Sequence, residues 1–428
     1  MKLIIHRGAK QIGGSCIEVS TGRTRLILDV GAPLDDPAKL LERPKQKDER
    51  PKNLPPVPGL FDDGPRVDAV LLSHAHGDHT GLLPWVKPEI PVYLSKGTSQ
   101  MLMAGSIFGK QPKLDRNQTR ILEPRQPARI GDITITGFPV DHSAYDSMVL
   151  LLEADGKRIL YSGDLRLHGR KPGMARALIR HAQANPVDVL LMEGTNLRAG
   201  STTNLVGNSS ETDLEATFCR AIKRWNHLVL ANFSPQHFDR MISFYKATRD
   251  AGRIFVLDVY GAFVWDLIRR GTFRNLMSEK RIRVYYNQSF QQSRKKNIPK
   301  LNDPFLKARI DLPAILADPD RYVMLFRPSM LDLDFGGKLP LHTMSLYSMW
   351  PGYLEKPEFK DLRAALKKAD GELSECHTSG HIFADDLVEF VKAINARQVV
   401  PVHTETPEKF KELFQNALLL SDGCPLIV

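Results

Sequence analysis

The chain opens on short apolar or alternating runs separated by glycine-bearing turns. Residues 3–6, 16–20 and 26–30 read as strands, broken by Gly-Gly and Thr-Gly. Segment 43–65 carries Pro44, Pro51, Pro55, Pro56 and Pro58 among many charges. Proline lacks an N–H donor and clashes inside a helix, so this stretch predicts a long surface loop. Residues 67–72 are apolar apart from Asp68 and predict a mostly buried strand. Further strands are expected at 133–139, 148–153, 158–162 and 187–192.

From Glu211 the periodicity changes. Residues 211–225 follow an amphipathic helix pattern with Ser210 placed to cap it. Strands at 227–233, 254–258 and 321–326 then alternate with a helix at 235–250, which predicts a second α/β domain with a parallel sheet. Near the end, 384–394 reads as a helix, 398–402 as a strand and 407–418 as a helix.

Composition narrows the class without naming it. The 428 residues are 42% hydrophobic and 25% charged, an ordinary globular balance. No apolar run approaches the roughly 18 residues that span a bilayer, and the apolar stretch after Met1 is too short for a signal peptide. A cytoplasmic protein without a membrane partner is the expectation. Cys16, Cys219, Cys376 and Cys424 show no paired zinc spacing, which makes them poor ligand candidates. The net charge of +10 permits an anionic partner but does not locate one.

The strongest chemical signal is Ser73-His74-Ala75-His76-Gly77-Asp78-His79, directly after the strand at 67–72. Three imidazoles and a carboxylate on one loop suit zinc, with manganese or iron less favoured. In extended backbone His74 and His76 point the same way, and Gly77 lets the chain turn so that Asp78 and His79 face a neighbouring point. One loop cannot close such a site. His142, Asp164 and His403 each follow a predicted strand and supply enough groups for two ions.

These residues resemble the metallo-β-lactamase superfamily, and in particular its β-CASP branch, the nucleic-acid-processing members that include the RNase J-like ribonucleases. Asp29 after RLILDV, Glu193 in Leu191-Met192-Glu193-Gly194-Thr195, His377-Thr378-Ser379-Gly380-His381 and Pro401-Val402-His403-Thr404-Glu405 match that branch's motifs in order. The resemblance implies a four-layer αββα sandwich built from 1–193 and 373–428, with an inserted α/β domain at 194–372. It implies that His74, His76 and His142 hold one metal and Asp78, His79 and His403 another, with Asp164 bridging them and Asp29 orienting a ligand. Two divalent ions, zinc by preference and manganese as the alternative, would lower the pKa of a shared water toward roughly 7 for attack on phosphorus. Asp78 and Asp164 would thus be catalytic through the metals. His381 would contact phosphate and act as general acid, with Glu193 setting its tautomer and His377 and Ser379 donating to a neighbouring phosphate.

Charge then acquires an address. Residues 194–372 hold 28 basic and 19 acidic residues, leaving only +1 of the net charge elsewhere. The densest run, 280–300, sets Arg294, Lys295 and Lys296 among Tyr285, Tyr286 and Phe290, which suits phosphate pairing and base stacking on a single strand. Arg240 and Arg327 are further candidate nucleic-acid contacts. The expected activity is hydrolysis of single-stranded RNA, endonucleolytic or from a 5′ end, in RNA processing or decay. A single-strand DNA nuclease and a small-molecule metallo-hydrolase are the alternatives, the latter disfavoured by the basic insertion. The branch's C-terminal domain is expected to be missing, since 25 residues follow His403, and a homodimer is an expectation from the family.

Overall fold

The computed structural model describes residues 1–34, 54–109, 111–197, 209–270, 276 and 279–428. Residues 43–53 of the expected proline-rich loop lie outside them; its remainder, 54–65, forms neither helix nor strand. The chain divides into two compact units, Met1–Asn208 with Gly380–Val428, and Ser209–Ser379. The second unit therefore starts and ends later than the 194–372 insertion read from the motifs.

The first unit holds two sheets. In the first sheet, β1 (Lys2–Arg7), β2 (Cys16–Ser20), β3 (Arg25–Leu28), β4 (Ala69–Leu71), β5 (Val92–Leu94) and β6 (Thr119–Ile121) lie in chain order, with β20 (Pro425–Ile427) outside β1. The second runs β7 (Pro127–Ile130), β8 (Ile133–Pro139), β9 (Met148–Ala154), β10 (Lys157–Tyr161), β11 (Val189–Glu193) and β19 (Gln398–Val402). Successive strand residues point to opposite faces, and the core follows that period of two. Leu150, Leu152, Ile159, Tyr161, Val189 and Leu191 pack with Leu3, Ile5, Val19, Leu26 and Leu71 of the other sheet. Their neighbours Val149, Leu151, Leu160, Leu190 and Met192 pack instead with Leu178, Leu387, Phe390 and Phe410 of helices Gly173–Ala184, Ala384–Ile394 and Glu408–Leu413. Helix Lys96–Phe108 makes the crossover between parallel β5 and β6 and buries Met101 and Leu102. The architecture is α/β, with the layered order helix, sheet, sheet, helix.

Strand direction positions the site. β3, β4, β5 and β6 are parallel, as are β10, β11 and β19; β8 lies two antiparallel steps from β10 and so runs with it. The segments after β3, β4, β8, β10 and β19 carry Asp29, His74–His79, His142, Asp164 and His403, and Glu193 is the last residue of β11.

The second unit carries one all-parallel sheet. In its order lie β15 (Arg309–Ile310), β14 (Ile282–Tyr285), β13 (Ile254–Asp258), β16 (Tyr322–Leu325), β12 (Val229–Asn232), β17 (Met344–Tyr347) and β18 (Glu372–Glu375). Helix Glu211–Arg224 starts at the expected Ser210, whose hydroxyl accepts from Asp213 N while the Asp213 carboxylate accepts from Ser210 N, a reciprocal cap. Helix 407–418 is shorter than its pattern, Glu408–Leu413. Helices Lys96–Phe108, Gly173–Ala184 and Pro357–Lys368 and strands β5, β6, β7, β14, β15, β17, β18 and β20 have no counterpart in the expected elements. Among the described residues, no helix is long and apolar enough to cross a membrane.

One ion-pair cluster on the first sheet makes a testable stability element. Glu18 on β2 is buried, accepts from Arg25 at 2.7 and 3.2 Å and lies 3.1 Å from His6 Nε2. Burial opposes its charge, but the His6 and Arg25 hydrogen bonds outweigh it and hold the carboxyl at about 2, against the usual 4.5. The folded value lies below the unfolded one, so the stabilisation is present above about pH 4.5 and is lost as pH falls toward 2. Glu18→Gln should be less stable than wild type by on the order of 2–3 kcal/mol near pH 7. Urea unfolding from pH 7 to 3 should show that gap closing; a gap independent of pH would remove the carboxylate from the account.

Candidate metal centre

Two residues that carry the site stand in left-handed backbone: Asp29 (φ 58°) just after β3 and His403 (φ 51°) just after β19. Such a conformation is costly outside glycine and turns each side chain off its strand toward the loops beside it. The His-rich loop is pressed against this turn. A Cβ on Gly31 would overlap the Asp78 carbonyl, whose oxygen accepts from Ser15 N at 3.2 Å. Gly163, at φ 49°, likewise brings Asp164 in under Ser73.

Asp29 is fully buried and fully used. Its Oδ1 accepts from Ser73 N at 2.8 Å, and its Oδ2 accepts from Ser73 Oγ and Tyr161 Oη, both at 2.7 Å. The same oxygen lies 2.8 Å from His79 Nδ1, which leaves His79 Nε2 aimed inward. His142 Nδ1 donates to the Gly380 carbonyl at 2.6 Å, and His74 Nδ1 lies 3.0 Å from Ser73 Oγ. In each case the outer ring nitrogen is held by the protein and the inner one faces the cluster, the arrangement that fixes metal-ligating imidazoles.

The inner atoms converge. His74, His76 and His142 form one group and Asp78, His79, Asp164 and His403 another, each with potential ligand atoms within 4.8 Å of one another. Asp164 Oδ2 lies 3.6 Å from His74 Nε2, 3.1 Å from His79 Nε2 and 3.9 Å from His142 Nε2, so the carboxylate stands between the groups. His403 Nε2 is 3.3 Å from Asp78 Oδ2, and His142 Nε2 is 3.1 Å from His76 Nδ1. The Nε2 atoms of His74 and His79 and both oxygens of Asp164 are buried and make no hydrogen bond. Buried polar atoms are almost always satisfied, and four orphans facing one point fit a cation.

Electrostatics agree with that fit at some of these groups. At His79 burial opposes charge, but the Asp164, Asp29 and Asp78 carboxylates outweigh it and hold the ring well above the ordinary histidine value, so a cation bound there would displace the Nε2 proton. Burial and neighbouring imidazoles push His74 and His142 well below the ordinary histidine value, keeping the rings neutral and their lone pairs free. Burial works against charge on Asp164, but His403, His79 and His381 outweigh it and keep the carboxyl well below its ordinary value. Asp78 is lowered in the same way by His79 and His403 against its burial.

A third group joins Asp164, Glu193, His381 and His403. His381 Nδ1 lies 2.9 Å from Glu193 Oε2, while Glu193 Oε1 accepts from Leu165 N at 2.9 Å. Burial lowers the His381 pKa, but the Glu193, Asp164 and Asp78 carboxylates outweigh it and raise it to about 9. Several supporting residues escape the motif reading. Thr195 Oγ1 lies 2.9 Å from His403 Nδ1, and Asn196 Nδ2 donates to the His381 and Ile382 carbonyls. Arg166 Nε donates to Asp141 at 2.8 Å, a buried pair that ties the loop of His142 to the loop of Asp164. Only their positions beside ligands in the sequence could have marked them.

The candidate nucleic-acid contacts fall out differently. Arg240 is fully buried, paired with Glu211 at 2.8 Å and donating to the Ser348 and Thr378 carbonyls, so it is a structural cation rather than a surface contact. Arg327 pairs with Asp258 and lies 4.9 Å over the Tyr260 ring. Arg294 and Lys296 are exposed and Lys295 half-buried on the turn Arg294–Asn297. Tyr285, Tyr286 and Phe290 are buried, so this run offers charge but no stacking surface. In the second unit His377 and Ser379 are half-buried.

Comparison with known proteins adds independent evidence. A beta-lactamase superfamily domain matches residues 42–228, and a Zn-dependent metallo-hydrolase RNA specificity domain matches 371–417. An RNase J-like protein of Methanocaldococcus jannaschii is 30% identical over 206 residues, 45% of this chain and 42% of that one. Ribonuclease J of Helicobacter pylori is 24% identical over 233 residues, 53% of this chain and 32% of that one. The chain thus spans between about a third and a half of the length of these curated relatives. The crystal structure of a protein of unknown function from Enterococcus faecalis V583 covers 100% of this chain and is itself 99% covered, with a TM-score of 0.78 at 23% identity, a likeness of fold. These matches support the resemblance to the β-CASP branch of the metallo-β-lactamase superfamily read from the motifs.

Proposed function

We propose that this chain is a metal-dependent ribonuclease that hydrolyses phosphodiester bonds of single-stranded RNA. The observation that carries the reading is the set of orphaned nitrogen and oxygen atoms of His74, His79 and Asp164 facing one buried point. His74, His76 and His142 would hold one divalent ion, Asp78, His79 and His403 a second, and Asp164 both; imidazole and carboxylate donors suit zinc. When bound, such ions supply Lewis-acid activation of water and neutralise charge on a phosphate.

The chain's own residues do the rest. Asp29, Ser73 and the Gly380 carbonyl hold the outer nitrogens of His79, His74 and His142, which keeps the inner lone pairs directed. Glu193 holds His381 Nδ1, so Nε2 is the atom offered to a leaving oxygen. Against its burial, Glu193, Asp164 and Asp78 raise the His381 pKa to about 9. Divalent cations held by the neighbouring ligands would lower that value toward neutrality, where a general acid works best. Ser209–Ser379 would serve as the inserted domain that binds the strand by charge.

The test is incubation with end-labelled single-stranded RNA bearing a 5′ monophosphate, triphosphate or hydroxyl, beside a DNA of the same sequence. Chelator-sensitive RNA cleavage is expected, and product sizes report the mode of attack. Faster cleavage of the DNA would transfer the reading to a DNA nuclease, and cleavage of neither would end it. A second measurement addresses the charge: changing Arg294, Lys295 and Lys296 together to Ala should weaken RNA binding and flatten the slope of log affinity against log salt by about 2. An unchanged slope would make the run a solubility feature.

A further inference from the structure

The second unit presents an aromatic surface that neither the motifs nor the candidate metal centre uses. Trp350 and Tyr353 are 54% and 41% exposed, the only strongly exposed Phe, Tyr or Trp side chains among the described residues. Burying such rings is ordinarily favourable, so their exposure calls for an occupant. They lie on the turn Pro351–Glu355 and the residue before it, just beyond the carboxyl end of β17. The turn is fixed from below: Tyr347 Oη donates to the Trp350 carbonyl at 2.8 Å, Tyr353 N donates to the same oxygen at 3.1 Å, and Leu354 is buried. The indole itself is bedded on Gly352, where a Cβ would overlap its six-membered ring. One face of the ring is thus covered by main chain while over half of the residue remains open. Tyr353 stands edge-on to it at 5.4 Å, and the Lys356 ammonium lies 4.4 Å from the Tyr353 ring centre.

The place in the fold points the same way. Ligands of open parallel sheets bind beyond the carboxyl ends of the strands. At that end the segment beyond β17 is tied to its neighbours: Ser348 N donates to Asn232 O of β12, and Cys376 N, next to β18, donates to Tyr347 O. His377 follows Cys376 directly, and the buried Arg240 reaches both Ser348 O at 3.0 Å and His377 Nδ1 at 3.4 Å. The aromatic pair and the His377–Ser379 segment therefore leave from adjacent strands.

We propose that Trp350, with Tyr353 and Lys356 beside it, is a stacking platform for a nucleobase of single-stranded RNA. A rigid indole with one covered face, next to an ammonium, takes the flat face of any base while the cation meets a phosphate. The proposal rests on the ribonuclease reading for the identity of the strand, but its test does not depend on cleavage. The full-length metal-loaded chain is titrated by fluorescence anisotropy with a phosphorothioate-linked uridine 12-mer and with an abasic 12-mer of the same charge. Wild type should prefer the uridine strand. Trp350→Ala should lose about tenfold in affinity for it and nothing for the abasic strand, while Trp350→Phe stays within about threefold of wild type. Equal losses on both strands, no loss on either, or a wild type that binds neither would overturn the platform. So would a self-association of wild type that Trp350→Ala abolishes with uridine affinity intact, which would make the surface a contact between copies. A chain that shows the base-dependent loss but cleaves no RNA would leave the platform standing and remove the ribonuclease reading.

Discussion

Asp164→Ala should abolish RNA hydrolysis, lowering the rate by about a thousandfold or more, at the upper end of what a single electrostatic group supplies. Asp164 is 1% exposed, and its oxygens lie within 4 Å of His74, His79, His142, His381 and His403. Removing it takes away the one carboxylate that lies between the two groups, with only Asp78 left as an acidic donor among them, so metal content should fall together with activity. Elemental analysis of the purified variant checks the first and a single-turnover cleavage assay the second. Full metal stoichiometry with a wild-type rate would mean that the carboxylate does not link the two groups. Retained metal with lost activity would point to a role in chemistry alone.

Arg240→Ala is expected to have the largest effect on stability. The guanidinium is fully buried, its fork meets Glu211 at 2.8 and 3.2 Å, and the same carboxylate accepts from Ser243 Oγ at 2.6 Å. Removing one partner of a buried pair leaves the Glu211 carboxylate buried without its arginine, a cost of about 3–5 kcal/mol. Urea unfolding should therefore show a transition at markedly lower denaturant. RNA affinity measured where the variant is still folded should stay close to wild type. A folded variant of normal stability but weak RNA binding would restore Arg240 as a surface contact, the role its residue type suggests in the sequence alone.

That reversal shows where a sequence stops being legible. The His74–His79 loop declares itself because four ligand-type side chains within six residues, after an apolar strand, have few other uses. His142, Asp164 and His403 are readable because each follows a strand, and strand ends are where layered α/β folds place their chemistry. The alternation that separates the two cores of the first unit is equally local. What stays hidden depends on partners distant in the chain. Nothing near Arg240 announces Glu211 or Ser348, and nothing around residues 280–300 tells that Tyr285, Tyr286 and Phe290 face inward while Arg294 faces out. Thr195 and Asn196 are small polar residues of a common kind, and only the fold brings them to His403 and His381. Helix Lys96–Phe108 is masked by Gly97 and Gly105, which are poor helix formers carried by packing.

The order of segments in the first unit has a consequence for how the protein is made. A nascent chain that has emerged as far as Asn208 already carries His74, His76, Asp78, His79, His142 and Asp164, on strands that can begin to pair. It still lacks β19, which hydrogen-bonds along the whole of β11, and it lacks His403. All of Ser209–Ser379 must leave the ribosome before either arrives, and that unit has its own sheet and core with which to fold meanwhile. The first half must wait with one edge of its second sheet bare and part of its apolar interior uncovered. Closure of the candidate metal centre is thus tied to a segment synthesised after the whole of the second unit, so a product truncated before it would hold most of the candidate ligands and none of the finished site.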